Sequence, residues 1–368
     1  MPKHTRTISQ RIARGPPHVR ACGQIASYPD VVSASQLRSG RFGVDRRRSE
    51  AVGFMALTRR LPLELVRRIM EFAKSFAGVI VNHFSAHNST IMALAVWPGA
   101  AGSAGSSGLL ASGDDFGIIH MRDTQYNLVS TIEGPASSVM ALEFLSDGSL
   151  AAVYFDGITK VWRTSDGTCL YTITRDESAY CLLKFPDGTL AVGYDDGLIV
   201  FYRNGTILTN IHTHTAPVVG LAIMADGRMA SCSRTGRVCI HASNVYTVLE
   251  MADSAWSVCR LGSDLAVGCY AGTIAHIWND GRMHGLKTPH HFKVTALCEL
   301  PDGSLASGSA DGQLHMSGAG GPLGRKLRGD INAIATIPSA ERLLPNGQIE
   351  RTSERVCVAA GFDLYTMV

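Results

Sequence analysis

The residues of this chain that could do chemistry are thirteen histidines, nine cysteines and a periodic scatter of aspartates. His212-x-His214 and His290-His291 have the closeness of metal ligands, while His120, His276 and His315 stand alone. No Cys or carboxylate accompanies them at metal-ligand spacing, which points to surface or packed histidines. The cysteines are odd in number and include no C-x-x-C pair. Cys181, Cys232, Cys239, Cys259, Cys269, Cys298 and Cys357 all fall in apolar runs, so they read as small buried residues of a reducing compartment. Asp114-Asp115 and Asp195-Asp196 resemble paired carboxylates, but Asp-Gly recurs at 147, 187, 226, 302 and 311. Such recurrence marks turn residues, which accept backbone hydrogen bonds and tolerate left-handed conformations. A P-loop, a G-x-S-x-G elbow and a dinucleotide fingerprint in a strand-to-helix context are all missing. The reading is that of a chain with no catalytic residue, no metal and no cofactor.

The elements that hold these residues form a repeat. Residues 294–316, V-T-A-L-C-E-L-P-D-G-S-L-A-S-G-S-A-D-G-Q-L-H-M, are short apolar runs broken by two tight turns, most of one antiparallel sheet. Seven segments align on its start without a gap, beginning at Ile91, Val139, Ala179, Val218, Ala255, Val294 and Ile331. Their third place is always small (Ala93, Ala141, Cys181, Gly220, Ser257, Ala296, Ala333). Their fourth is always a branched aliphatic (Leu94, Leu142, Leu182, Leu221, Val258, Leu297, Ile334), expected to fill the interface between neighbouring sheets. Turn glycines at 117, 157, 197, 236, 272 and 312 lie 40, 40, 39, 36 and 40 residues apart. A period near ~40 residues with four strands per unit is the signature of a β-propeller. The expected fold is all-β, seven four-stranded antiparallel blades over residues 77–368. A strand at 79–84 would complete the last blade and close the ring, because the chain ends one strand short.

The Asp-Gly turns followed by strands ending in Trp162-Arg163, Tyr202-Arg203 or Trp278-Asn279 resemble degenerate WD repeats. The family's Gly-His signature has Ala86-His87 as its nearest match here, so the resemblance implies the strand period and a protein-binding role more than the family's hydrogen-bonded turn network. Residues 216–278, with V-V-G-L-A-I and A-W-S-V-C-R-L-G-S-D-L-A-V-G, also resemble the propeller of the phospholipase-activating protein family, which implies ubiquitin as a partner.

Net charge is +3, but residues 1–60 hold 12 Lys/Arg against 3 Asp/Glu, leaving the remainder at −6. The blades are therefore mildly acidic and give no support for nucleic-acid binding. No apolar run approaches the ~20 residues of a membrane span. Residues 1–54, basic and poor in aromatics, read as a disordered leader. Its basic start fits a transit peptide, Arg46-Arg47-Arg48 fits nuclear import, and a start at Met55 would remove both. Residues 55–76 read as an amphipathic helix, with Pro62 in the first turn and Leu61, Leu65, Ile69 and Phe72 every three to four residues. That run is similar to the opening helix of an F-box, which implies the adaptor of a cullin-type ubiquitin ligase as a partner; otherwise the stripe packs on the propeller. Residues 98–108 and 339–355 read as inserted surface loops.

Residues just before each inner strand should reach one rim of the central channel. Ser178, Ser254, Lys293 and Asp330 are among them, and Tyr180 and Trp256 add large aromatic rings beside them. The expectation is an intracellular, cytoplasmic or nuclear, interaction scaffold, a monomer within a complex, offering this rim to a protein. The alternative is a propeller enzyme working on a small molecule or glycan at the channel mouth, which would need acids, histidines or a metal converging there.

Overall fold

The computed structural model describes residues 80–99, 108–242, 245–286, 290–318, 321–338, 341–343, 349–351 and 355–367. The leader at 1–54 and the helix expected at 55–76 lie outside these residues. Seven four-stranded antiparallel sheets are arranged as a propeller, and their inner strands are Ile91–Trp97, Val139–Phe144, Ala179–Lys184, Val218–Ile223, Ala255–Leu261, Val294–Glu299 and Ile331–Ile337. They define blades 1 to 7. In blades 1 to 6 each sheet is a simple meander from inner to outer strand, as short apolar runs joined by Asp-Gly turns dictate.

Blade 7 is assembled from both ends of the propeller. Its order from the channel outward is Ile331–Ile337, Arg355–Ala360, Asp363–Met367 and Ile80–Ser85. His83 stacks on Tyr365 with ring centroids 4.4 Å apart and places Nε2 3.1 Å from the Asp363 carboxylate. The insertion before Arg355 carries an antiparallel hairpin of its own, Glu341–Leu343 with Ile349–Arg351, where the sequence suggested only a loop.

Each inner strand breaks register at its second residue. Ile91 faces Asp114 and Ala93 faces Gly113, so Met92 is left without a partner; the same bulge recurs in the other six blades. A bulge re-aims one side chain and resets the alternation behind it. Consequently the first residue is the one wedged between blades: Ile91, Val139, Ala179, Val218, Ala255, Val294 and Ile331 are all at 0% exposure. The fourth-place aliphatics were expected in that role. Leu142 and Leu221 are buried, but Leu94, Leu182, Val258, Leu297 and Ile334 are only partly so, and all seven line the channel wall. Side chains at and just after the bulge tie the blades: Ser257 Oγ donates to the Val294 carbonyl at 2.8 Å, Cys181 Sγ to that of Val218 at 3.3 Å, and the bulge residue Asn332 donates Nδ2–H to that of Ile91 at 3.0 Å.

A hydrogen-bonded histidine network is present despite the missing Gly-His dipeptides. His87, His214 and His290 each lie four residues before an inner strand, are buried, and reach a second-strand serine. Their Nε2 atoms lie 2.8, 2.7 and 2.8 Å from the hydroxyls of Ser112, Ser231 and Ser307. His120 stacks on His87 at 4.1 Å, and His241 shares Ser231 with His214. Blades 2, 3, 5 and 7 carry Ala152, Val192, Val267 and Val358 at the serine's place, with Pro135, Arg175, Met251 and Leu327 at the histidine's. Polar and apolar choices thus go together, since a buried serine without its histidine would leave a hydroxyl unmatched.

Candidate functional site

The turns joining second and third strands lie at the end of the ring where inner strands begin. Backbone bonds fix this: Asp115 N donates to Thr90 O, Phe155 N to Ser138 O, Asp195 N to Ser178 O, Tyr270 N to Ser254 O and Ala310 N to Lys293 O, all at 2.9 to 3.1 Å. The rim residues Ser178, Ser254 and Asp330 are therefore structural fasteners through their carbonyls, the last accepting from Gly361 N at 3.0 Å. Gly117 shows how tight this face is. Its φ is +87°, and a Cβ there would fall 1.8 Å from the Pro135 carbonyl oxygen.

The bulge residues Met92, Met140, Tyr180, Val219, Trp256, Thr295 and Asn332 ring the mouth of a central cavity of about 270 Å³, whose wall continues into the third and fourth places of the inner strands. The alternation of an unbroken strand would have buried Tyr180 and Trp256 between blades; the bulge turns them to the channel, half-buried. The two rings hold Arg234 between them. Its guanidinium carbon sits 4.7 Å from each ring centroid, and Lys293 Nζ lies 4.5 Å from the indole of Trp256. Phe155 meets Tyr180 edge-on at 5.6 Å, and Tyr270 flanks Trp256 at 6.0 Å. Three of the residues singled out from sequence, Tyr180, Trp256 and Lys293, are thus brought together, while Asp330 belongs to blade 7. Arg234 was missed. Its signal was its place: S-R-T-G sets an arginine where Tyr-Asp-Asp-Gly and Ser-Ala-Asp-Gly set Asp195 and Ala310.

Five of the six strongly exposed aromatic residues among those described lie on this face: Phe116, Phe155, Tyr270, Phe292 and Phe362, at 44 to 67% exposure. Tyr246, on an outer strand, is the sixth.

The acidic and thiol groups are occupied elsewhere. Asp147, Asp187, Asp226 and Asp302 each accept the backbone N–H two residues on, at 2.9 to 3.1 Å; the Ser149 and Ser304 hydroxyls hold the carboxyls of Asp147 and Asp302 below the usual range, and the backbone bonds do so for Asp187 and Asp226. Asp156, Asp196 and Asp311 accept the backbone N–H groups of Ile158, Leu198 and Gln313. The eight described cysteines are unpaired, and burial pushes the thiols of Cys181 and Cys357 up to about 12. Among the described residues, no group of three or more His, Cys, Asp or Glu is placed to hold a metal, and no helix is long and apolar enough to cross a membrane.

A ring of seven four-stranded antiparallel blades around a central channel defines a β-propeller. Two stretches, residues 126–163 and 284–316, match the family model described as WD domain, G-beta repeat. Both begin near the outer strand of one blade and run into the third strand of the next, the offset expected when each repeat unit bridges two sheets. Together with the seven-bladed ring they support a WD-repeat β-propeller. No curated protein matches the chain.

Proposed function

We propose that the protein is a non-enzymatic interaction scaffold that binds a protein partner through the rim around Tyr180, Arg234 and Trp256. The observation that carries this is the gathering of exposed aromatics on one face, beside a half-buried aromatic and cation stack. Large rings left in water at a site with interleaved polar groups are what binding interfaces are enriched in. Among the described residues lining the channel there is no cluster of His, Asp or Glu on which the alternative reading, an enzyme for a small molecule or glycan, could be built.

The finer reading is a substrate-recognition subunit of a cullin-type ubiquitin ligase, docking its adaptor through Leu61, Pro62, Leu65, Ile69 and Phe72, or a propeller that binds ubiquitin itself. It rests on the sequence resemblances alone. The unpaired cysteines support work in a reducing intracellular compartment, as a monomer within a complex. The rim is tested by affinity purification of the full chain from native cells beside Tyr180→Ala plus Trp256→Ala. Partners that depend on the rim disappear in the variant; an unchanged set would remove this reading. Binding to the ligase adaptor that survives Leu65→Asp plus Ile69→Asp would remove the ligase half.

A further inference from the structure

The aromatic stack carries two cations that the protein does not neutralise. Arg175, on the same rim, lies 4.7 Å over Tyr194 but is also paired with Glu177 at 2.8 Å and Asp196 at 3.6 Å. Arg234 has rings on both sides and, among the described residues, no carboxylate and no side-chain hydrogen bond. Lys293 is in the same position against Trp256. The nearby acid Asp253 is turned into its own loop, where it accepts from Ser254 N at 2.8 Å and Ala271 N at 2.7 Å. Arg234 Nε and Trp256 Nε1 are both buried, and neither finds an acceptor among the described residues. Every unmatched group at this point of the mouth is thus a donor or a positive charge. A buried donor without an acceptor is costly, and a cation on an aromatic face keeps its hydrogen-bonding edge free.

Complementarity decides the occupant. Arg234 approaches Trp256 from the blade before it and Lys293 from the blade after it, so the two charges come to one indole from opposite directions along the arc of the mouth. Phe155, Tyr270 and Phe292 extend that arc as apolar patches. An extended peptide with carboxylates between apolar side chains fits both features, and the planar guanidinium matches a carboxylate bidentately. We infer that the channel mouth recognises an acidic segment of the partner protein, with one carboxylate taken by Arg234, a second by Lys293, and flanking apolar side chains laid on Phe155, Tyr270 and Phe292. This rests on the rim being the binding face and adds what it selects.

The test is a positional-scanning peptide library, with phosphorylated residues included, probed with the full-length purified chain. Selection of Asp or Glu beside apolar residues is expected. The selected peptide, followed by fluorescence anisotropy, should bind about tenfold or more weakly to Arg234→Gln and to Lys293→Gln, weaken as salt is raised, and recover only in part with Arg234→Lys. Thermal melting of these variants should match the parent, since both side chains reach the rim. Preference for phosphorylated, neutral or basic residues, no selection at all, or unchanged affinity in both charge variants would overturn the inference. The two readings separate cleanly. Binding lost in Trp256→Ala but kept in Arg234→Gln and Lys293→Gln sinks only the acidic selectivity, whereas binding kept in all three sinks the rim as well.

Discussion

Gly113 and Val139 occupy one space between blades 1 and 2: a Cβ built on the glycine would fall 2.5 Å from Val139 Cγ1. The relationship repeats with its partners exchanged. Gly193 is closed by Val218, Gly268 by Val294 and Gly308 by Ile331, whereas Val153 in blade 2 faces Ala179 and Cys232 in blade 4 faces Ala255. In five of these six interfaces one large and one small side chain share the space, four with the glycine on the second strand and one, Val153 with Ala179, the other way round; Cys232 with Ala255 is small on both sides.

This predicts a compensating pair. Gly113→Ala should overpack the interface and cost about 1 to 3 kcal/mol. Val139→Ala should cost about 1 to 2.5 kcal/mol through lost burial and a cavity. Combined, they leave one alanine on each side, and the methyl added at 113 enters the space vacated at 139, so their joint cost should fall about 1 kcal/mol or more below additivity. Urea unfolding of the four proteins measures the coupling, and strict additivity would mean the two residues do not share the space.

The same interfaces show what the sequence could and could not reveal. The small third place and the aliphatic fourth place were legible because seven copies lined up, and they gave the strand order and blade number. The bulge was not legible, because no residue type marks it: Met92, Val219 and Asn332 have nothing in common. Missing it moved the wedge from the first place to the fourth. The histidine network was visible but unread. His87, His214 and His290 stand at one offset and coincide with Leu-Ala-Ser or Met-Ala-Ser in place of Leu-Ala-Ala or Leu-Ala-Val, a correlation across blades that contact chemistry requires and strand period alone does not show.

Acid should weaken the fold before its carboxylates are protonated. Burial drives the His214, His241 and His290 imidazoles down to about 4 and lowers His87 as well. In the unfolded chain they take up protons near the ordinary ~6.5. Below that pH the unfolded state binds more protons than the native one, so the stability is whole above about pH 6.5 and falls as pH drops toward 4, by up to about 1.4 kcal/mol per unit for each histidine. The turn aspartates, held low, contribute only beneath that window. Denaturant midpoints from pH 8 to 4 measure the slope. His290→Asn should be less stable at pH 7.5 yet show a shallower decline, and an equal decline would assign the acid sensitivity elsewhere.

Thiol chemistry should follow exposure. Cys181, Cys232 and Cys357 are buried and their thiols are raised by that burial, so at pH 8 they are neither ionised nor reachable. Cys169, half-exposed on an outer strand, should alkylate first among the described cysteines. Peptide mapping after brief treatment with iodoacetamide distinguishes them. Labelling of Cys181 in the folded protein as fast as in urea would show that its blade interface opens far more readily than packing implies.

Asp363–Met367 is an interior strand of blade 7, bonded to Arg355–Ala360 on one side and to Ile80–Ser85 on the other. Leu364, Tyr365 and Met367 are at 0, 1 and 0% exposure, so a chain ending at Gly361 loses three core side chains at about 1.5 to 3 kcal/mol each. It also leaves both neighbouring strands with an open edge, and Ile80–Ser85 with nothing to pair against. Such a loss is comparable to the ~5 to 15 kcal/mol that holds an ordinary domain together. Because each blade is wedged against the next, opening blade 7 should release the ring as a whole and not only its last sheet. The truncated chain should therefore be insoluble or melt without a cooperative transition by circular dichroism. A truncated protein that melts at the parent's temperature would show that six blades sustain themselves and that this strand is not what closes the ring.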